Sequence, residues 1–273
     1  MARLVLFGPG YAGTRIAAAI AREGGAVSLV HRHTAAAEVE AALAGATHLI
    51  STVPPDRSGD DPILAAYEPL IARVRWLGYL SSTGVYGDTG GAWVDETAPL
   101  AGRRDGRMVA DRRWQALGAR VLRLPGIYGP GRSAFERLAA GKAQRVDVPG
   151  QVFSRIHVDD IVGAVRAAIE RGGPGVYNIA DDLPAPQNAV IEAACALTGR
   201  APPPLLSLAE AGLSPAARAF YAENRRVANG KARRLLDWRP RYPTYQAGLR
   251  ALIAMTSPIT TSSTPAAASG DQR

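Results

Sequence analysis

A single cysteine, Cys195, in 273 residues rules out an internal disulfide. It falls in the helical-looking stretch Asn188–Leu197, where it reads as a small core residue rather than a nucleophile. No apolar run reaches the roughly 18 residues that cross a bilayer. Met1-Ala2-Arg3 leads straight into a strand, without the segments of a secretory leader. The expectation is therefore a cytoplasmic protein with no membrane partner. Lysine is scarce, standing only at positions 142 and 231, so the net charge of +8 rests on arginine. The arginine pairs 103–104, 112–113, 225–226 and 233–234 are scattered along the chain. No basic stripe interleaved with aromatics accompanies them, which argues against a nucleic-acid partner. No cluster of metal-ligand spacing stands out either, so no metal is expected. An anionic small-molecule ligand fits the charge balance.

With 47% hydrophobic and 21% charged residues, the chain can build a sizeable core. Its most informative stretch is Gly8-Pro9-Gly10-Tyr11-Ala12-Gly13, which follows the apolar run Leu4–Phe7 and opens the helical Thr14–Arg22. A βα turn of this kind binds dinucleotides. The first glycine makes the tight turn, the second lets the backbone approach a pyrophosphate, and the third lets helix pack on strand. The helix N-terminus then offers free N–H groups and partial positive charge to the phosphates.

An acidic residue normally follows the second strand, where it grips the ribose 2′-hydroxyl of NAD. None follows Ala26–Val30 here; His31-Arg32-His33 does. A guanidinium at Arg32 can bind a 2′-phosphate bidentately. NADP is accordingly the expected cofactor, with NAD the alternative.

Strands and helices alternate through the first half. Strands are expected at Leu4–Phe7, Val27–Val30, His48–Val53, Trp76–Ser81 and Ala119–Leu124, and helices at Thr14–Arg22, Ala35–Leu43 and Ile63–Val74. This pattern predicts an α/β fold, a doubly wound parallel (Rossmann) sheet of about seven strands, with the ligand crevice at the strand C-termini. In the second half, Ala134–Ala140, Asp159–Arg171, Asn188–Leu197 and Ala209–Glu223 read as helices and Gly175–Ile179 as a strand. One domain over 1–255 is expected, its segments 126–155 and 181–255 forming a small substrate lobe. The polar, low-complexity 256–273 reads as a disordered tail.

Four pieces of this sequence resemble the extended short-chain dehydrogenases/reductases, the NAD(P)-dependent epimerase/dehydratase group. They are the Gly8–Gly13 turn, Leu80-Ser81-Ser82-Thr83-Gly84-Val85-Tyr86-Gly87, Leu122–Gly131 with Leu-Arg-Leu-Pro-Gly-Ile-Tyr-Gly-Pro-Gly, and Arg155–Asp160 followed by Val176–Ala180. The resemblance implies several roles. Gly8, Gly10, Tyr11, Ala12, Gly13, His31 and Arg32 would hold the adenosine and phosphate end of the cofactor. Thr52, Val53 and Pro54 would pass alongside it, and Leu124, Pro125, Gly126 and Ile127 would lie along the nicotinamide. Ser82 would be the catalytic hydroxyl, donating to a developing oxyanion. Thr83, Tyr86, Tyr128 and Arg155 would meet the substrate, with Trp93 also near the pocket. His157, Asp159 and Asp160 would be structural, one of the two aspartates capping the helix that follows. A homodimer is among the implied states.

The chain also departs from the pattern. The group's Tyr-x-x-x-Lys acid/base pair lies about 20 to 30 residues past the serine strand, yet 99–111 contains neither Tyr nor Lys. Arg103 and Arg107 are the residues set nearest those slots. A guanidinium stays protonated in proteins and cannot shuttle a proton, although Arg107 could hold the ribose. Phe153 stands where nucleotide-sugar enzymes of the group carry an arginine. Two functions remain open: an NAD(P)-dependent oxidoreductase or epimerase acting on a small carbonyl or alcohol, or a cofactor-binding sensor without hydride transfer.

Overall fold

The computed structural model describes residues 2–256. The first half runs β1 (Arg3–Phe7), α1 (Tyr11–Arg22), β2 (Ala26–Val30), α2 (Ala36–Ala44), β3 (His48–Ser51), α3 (Pro62–Ile71), β4 (Trp76–Ser82), β5 (Trp93–Val94), α4 (Asp105–Ala116) and β6 (Arg120–Leu124). The second half continues through β7 (Gly126–Tyr128), α5 (Ala134–Ala139), β8 (Arg145–Asp147), β9 (Arg155–His157), α6 (Val158–Arg171) and β10 (Gly175–Asn178). It ends with α7 (Gln187–Thr198), β11 (Leu205–Ser207), α8 (Pro215–Tyr221), β12 (Arg226–Val227), α9 (Gly230–Leu235) and α10 (Tyr245–Thr256).

Six strands form the central sheet, in the order β10-β6-β4-β3-β1-β2, every pair parallel. Strand order reverses at β1, which pairs with β2 on one side and β3 on the other. A crevice opens at such a reversal, beyond the strand C-termini. Here those termini carry Gly8 and Thr52. The alternation of side chains sorts the core into two layers. Leu4 and Leu6 pack with Ile16, Ile20, Ile161 and Val165 of α1 and α6. Val5 and Phe7 pack on the other face with Leu64, Ile71 and Trp114 of α3 and α4.

Four expectations are corrected. The sheet has six strands rather than seven, because the next extended segment, β7, leaves it and pairs with β9 in a separate two-stranded ribbon. The helix expected over Ala209–Glu223 is present only as α8, since Ser214 caps and Pro215 starts it, and Gly212 before it adopts φ +54°. The cap of α6 is His157, whose Nδ1 accepts from the Asp159 N–H at 3.2 Å. Asp160 instead reaches out of the helix and accepts from the Arg241 and Tyr242 N–H groups at 2.6 and 3.1 Å, fastening the C-terminal segment. Finally, α1 starts at Tyr11, three residues earlier than the composition indicated.

Beyond the sheet, α5, α7 and α10 share an apolar cluster of Ala134, Val190, Ala194, Tyr245 and Leu249, flanked by the β8–β11 pair. Cys195 is a free, fully buried thiol packed with Ala143 and Ile191. Of the tail expected to be disordered, Thr256 instead closes α10, and the rest lies outside the described residues. Among the described residues, no helix is long and apolar enough to cross a membrane, and no group of three His, Cys, Asp or Glu side chains could hold a metal.

Candidate active site

The three glycines of the first turn meet three different constraints. Gly8 has φ +72°, and a Cβ there would lie 2.7 Å from Val53 Cγ2. A Cβ on Gly13 would lie 3.0 Å from the Gly8 carbonyl and 3.1 Å from Leu6 Cδ2, so helix α1 touches β1 only because that side chain is missing. Gly10 is exposed, and its Cβ would meet nothing nearer than the Gly8 carbonyl at 3.9 Å. Packing inside the chain therefore does not require a glycine at this position. Gly10 caps α1 without a side-chain bond, and the first turn holds no acidic residue. The N–H groups there have no intrahelical acceptor and sit at the positive end of the helix dipole. Thr52 Oγ1 donates to the Gly8 carbonyl, tying β3 to the turn. Tyr11 donates its hydroxyl to the Pro130 carbonyl at 3.0 Å, and the Arg15 and Arg132 guanidiniums flank its ring at 5.2 and 5.6 Å.

The turn opens onto a cavity of about 1050 Å³ running between the sheet's C-terminal edge and the α5–α7–α10 layer. Gly10, Tyr11, Ala12, Thr52 and Pro54 line one end of it. Ser82, Thr83 and Arg107 line the middle, together with Leu124, Pro125, Gly126 and Ile127. Tyr128 and Arg155 line the part nearest α7 and α10. Gly8, Gly13 and Val53 support the turn from behind. His31 and Arg32 are exposed outside the cavity wall, just past Val30, whose carbonyl accepts from the Gly8 N–H at 3.0 Å.

Two candidate substrate residues are placed elsewhere. Tyr86 is 1% exposed; its hydroxyl donates to Asn178 Oδ1 at 2.7 Å and accepts from Arg123 Nη1 at 2.9 Å. Its polar end is thus consumed inside the core, below the cavity. Trp93 is 57% exposed on the far side of β5 and does not line the cavity.

Ser82 ends β4. Its Oγ accepts from the Gly84 N–H at 3.1 Å, capping a single turn of 3₁₀ helix over Thr83–Tyr86. That bond uses an oxygen lone pair and leaves the O–H proton free to be donated. Arg103 does not stand beside Ser82: it precedes α4 and reaches across to Glu223 Oε1 at 2.5 Å and the Ala219 carbonyl at 2.6 Å. The face of α4 turned toward β4 carries Arg107 and, one turn on, Asp111. Arg107 is half-buried near Tyr79, and its guanidinium has no hydrogen-bonding or ionic partner among the described residues. Burial lowers its pKa from the usual arginine value. Asp111 is wholly buried. It accepts from Ser81 Oγ at 2.6 Å, from Arg123 Nε and Nη2 at 3.0 and 2.7 Å, and from Gln115 Nε2 at 2.6 Å. Asp111 and Arg123 were missed from sequence because each reads alone as a charge on a helix or a strand; only their meeting across 12 residues makes them a core pair.

At the far end, Arg155 is 6% exposed. Its Nη1 donates to the Phe153 and Ala185 carbonyls, both at 2.8 Å, and Nη2 donates to Gln187 Oε1 at 3.0 Å. Burial brings its pKa down to about 10, so it remains a cation at neutral pH. Nearby, the Tyr128 hydroxyl, His157 Nε2 and both oxygens of the Asp181 carboxyl are buried and make no hydrogen bond to a protein side chain. Burial pushes Asp181 up to about 8 and holds His157 down to about 4.

The raised Asp181 has a consequence for stability. A carboxyl whose folded pKa lies above its unfolded value favours the native state at low pH, and that contribution is lost as pH rises through the folded pKa. Asp181→Asn removes the titration. The variant's Tm is expected to gain on the parent's as pH is raised from about 4 to about 8. Paired melts across that range read the difference; a flat difference, or one shrinking with pH, means the carboxyl is solvated or ion-paired in the native state.

No protein-family model matches the chain. A conserved protein of unknown function from Silicibacter pomeroyi DSS is 42% identical over 93% of this chain and 99% of that one, with a TM-score of 0.86. The human epimerase family protein SDR39U1, solved with NADPH, is 18% identical, with a TM-score of 0.71 over 92% of this chain and 99% of that one. A 3-diazoavenalumate denitrifying reductase from Streptomyces is 34% identical over 140 residues, which is 47% of this chain and 45% of the reductase. The chain thus spans less than half the length of that relative. The fold is that of the NAD(P)-dependent epimerases and dehydratases of the extended short-chain dehydrogenase/reductase class. The chain belongs to the same family as the Silicibacter protein.

Proposed function

We propose that the chain is an NAD(P)-dependent oxidoreductase that transfers hydride to or from a small organic substrate held between the glycine turn and the α5–α7–α10 layer. One observation carries the reading: the glycine turn, Ser82 and Arg107 all open onto one cavity. The cradle fits a dinucleotide. The bare Gly10 and the uncapped start of α1 suit a pyrophosphate, and the Leu124–Ile127 backbone suits a carboxamide. Arg32 would take the 2′-phosphate of NADP from its place beyond Val30. The bound cofactor would supply the hydride. Ser82 would donate its O–H to charge developing on the substrate, and Arg107 would stabilise that charge electrostatically without giving up a proton. The human neighbour solved with NADPH and the Streptomyces relative named as a reductase support the same reading. Segments 126–155 and 181–255 would form the substrate lobe.

The absence of a titrating residue at Arg107 favours a second reading, a cofactor-binding sensor. Fluorescence titration with NADPH and NADH, followed by single-turnover oxidation at 340 nm against a panel of electrophilic substrates, separates the two. Binding with turnover supports the enzyme; binding without turnover supports the sensor; no binding ends both. In the same titration, Arg32→Asp is expected to weaken NADPH at least about tenfold, roughly 1.4 kcal/mol, and to leave NADH little changed. An unaltered NADPH/NADH ratio would remove Arg32 from the cofactor site.

A further inference from the structure

The cavity's two ends differ in chemistry. The end under the glycine turn is backbone, small residues and hydroxyls. The other end is walled by Phe153, Phe220, Tyr221, Leu213 and Val190, with Arg155 in its floor and Arg137 and Lys142 at its rim. The Phe153 and Tyr221 rings meet edge to face, with centroids 5.6 Å apart, and the Arg155 guanidinium lies over Phe153 at 5.9 Å. Phe220 remains 68% exposed beside them. Its ring offers an apolar face at the cavity mouth under which a flat body could lie.

The charges at this end do not cancel. Of the carboxylates in the cavity wall, Glu223 is paired with Arg103 and Arg225, and Glu136 is held by the Ser133 N–H, the Ser133 hydroxyl and the Gly131 N–H, a single negative charge against three cations. Arg137 and Lys142 have no ionic partner among the described residues. Arg155 is the decisive group. Its three bonds all go to neutral acceptors, leaving its Nε–H and one Nη2–H without an acceptor among the described residues. The nearest acid, Asp181, makes no hydrogen bond or salt bridge to it and acts on it only through space, burial raising that carboxyl's pKa against the pull of the guanidinium. Buried cations are normally paired. This one is buried, makes no direct ion pair among the described residues, and lines the cavity.

Resting on the cofactor reading above, we propose that the substrate is a flat aromatic carboxylate, its ring against Phe153 and Tyr221 and its carboxylate on Arg155. Such a molecule would direct its far, reactive end toward Ser82 and Arg107. The guanidinium fork matches a carboxylate, and the aromatic pair matches a planar ring. A nucleotide-sugar diphosphate is the competing anion, and the test includes it.

The experiment is calorimetric titration of the full chain with trans-4-hydroxycinnamate, with its neutral primary amide and with UDP-glucose, each with and without NADPH. NADPH binding is read separately by its own fluorescence. The acid is expected to bind at least about tenfold tighter than the amide, through a charge-assisted bond the amide cannot form. Tyr221→Ala, at a half-buried position outside the central sheet, is expected to lose most of the acid's affinity, with a thermal melt checking that the variant is folded. Arg155→Gln is expected to erase the difference between acid and amide; if that variant does not fold, the Tyr221→Ala and amide comparisons decide alone. Equal binding of acid and amide, no binding of the acid, or tighter binding of UDP-glucose overturns the proposal. If the acid fails while NADPH binds, only the substrate class is wrong. If the acid binds and NADPH does not, the subsite stands and the cofactor reading falls.

Discussion

Gly10→Val is expected to leave the protein folded and to cost it NADPH and NADH alike. The position adopts φ −79° and ψ −157°, a backbone conformation open to a side chain. An added Cβ has 3.9 Å to its nearest neighbour, so nothing inside the chain resists it. The new methyls would project over the N–H groups of α1, where a pyrophosphate must come within hydrogen-bond distance. Loss of even one charge-assisted phosphate bond is worth about 1.5–3 kcal/mol, so affinity should fall about tenfold to a hundredfold. Gly13→Val gives the contrast. There a Cβ already sits 3.0 Å from the Gly8 carbonyl and 3.1 Å from Leu6, so helix and strand must separate and Tm falls with affinity. Paired thermal melts and fluorescence titrations of the two variants separate a cradle from a packing contact. If Gly10→Val binds NADPH as the parent does, no phosphate lies over this turn.

Much of this architecture is legible in the chain because it depends on local rules. The strand–glycine–helix order at 4–22 fixes β1, the turn and α1. The buried runs around Leu49, Leu77 and Val121 are apolar on both faces and can only be interior parallel strands. What escaped the sequence depends on distant meetings. Gly126–Tyr128 is as strand-like as its neighbours, and only its pairing with Arg155–His157 shows that it has left the sheet. Tyr86 reads as a pocket residue from its motif, yet Arg123 and Asn178, 37 and 92 positions away, take its hydroxyl into the core. His157 as a cap was hidden behind two aspartates, the better capping residues by frequency; Asp160 was already engaged by the 241–242 backbone. The same holds for Arg103, which precedes α4 in sequence and belongs in space to Glu223.

The largest stability change is expected at Asp111. Its carboxylate is wholly buried and takes four hydrogen bonds, two of them from Arg123, whose side chain is 3% exposed. Asp111→Ala leaves that guanidinium buried with only the Tyr86 hydroxyl and ring for company. An uncompensated buried charge costs about 3–5 kcal/mol. In a domain of this size, that lowers Tm by roughly 10 °C. Removing both charges should behave differently. Asp111→Leu with Arg123→Met replaces the pair by apolar groups of similar bulk, and such exchanges are often near neutral. The double variant is therefore expected to recover most of the loss, and urea melts of Asp111→Leu, Arg123→Met and the double variant close the cycle. A double variant no more stable than Asp111→Ala would mean that the bonds themselves, not the orphaned charge, hold the core. The pair also bears on chemistry, because Ser81 donates to Asp111 and is followed directly by Ser82. With that bond gone, the end of β4 loses an anchor one residue from the hydroxyl that faces the cavity. The stability-restored double variant should then still turn over more slowly than the parent, with its NADPH affinity unchanged. Restored turnover in the double variant would place the network in folding alone.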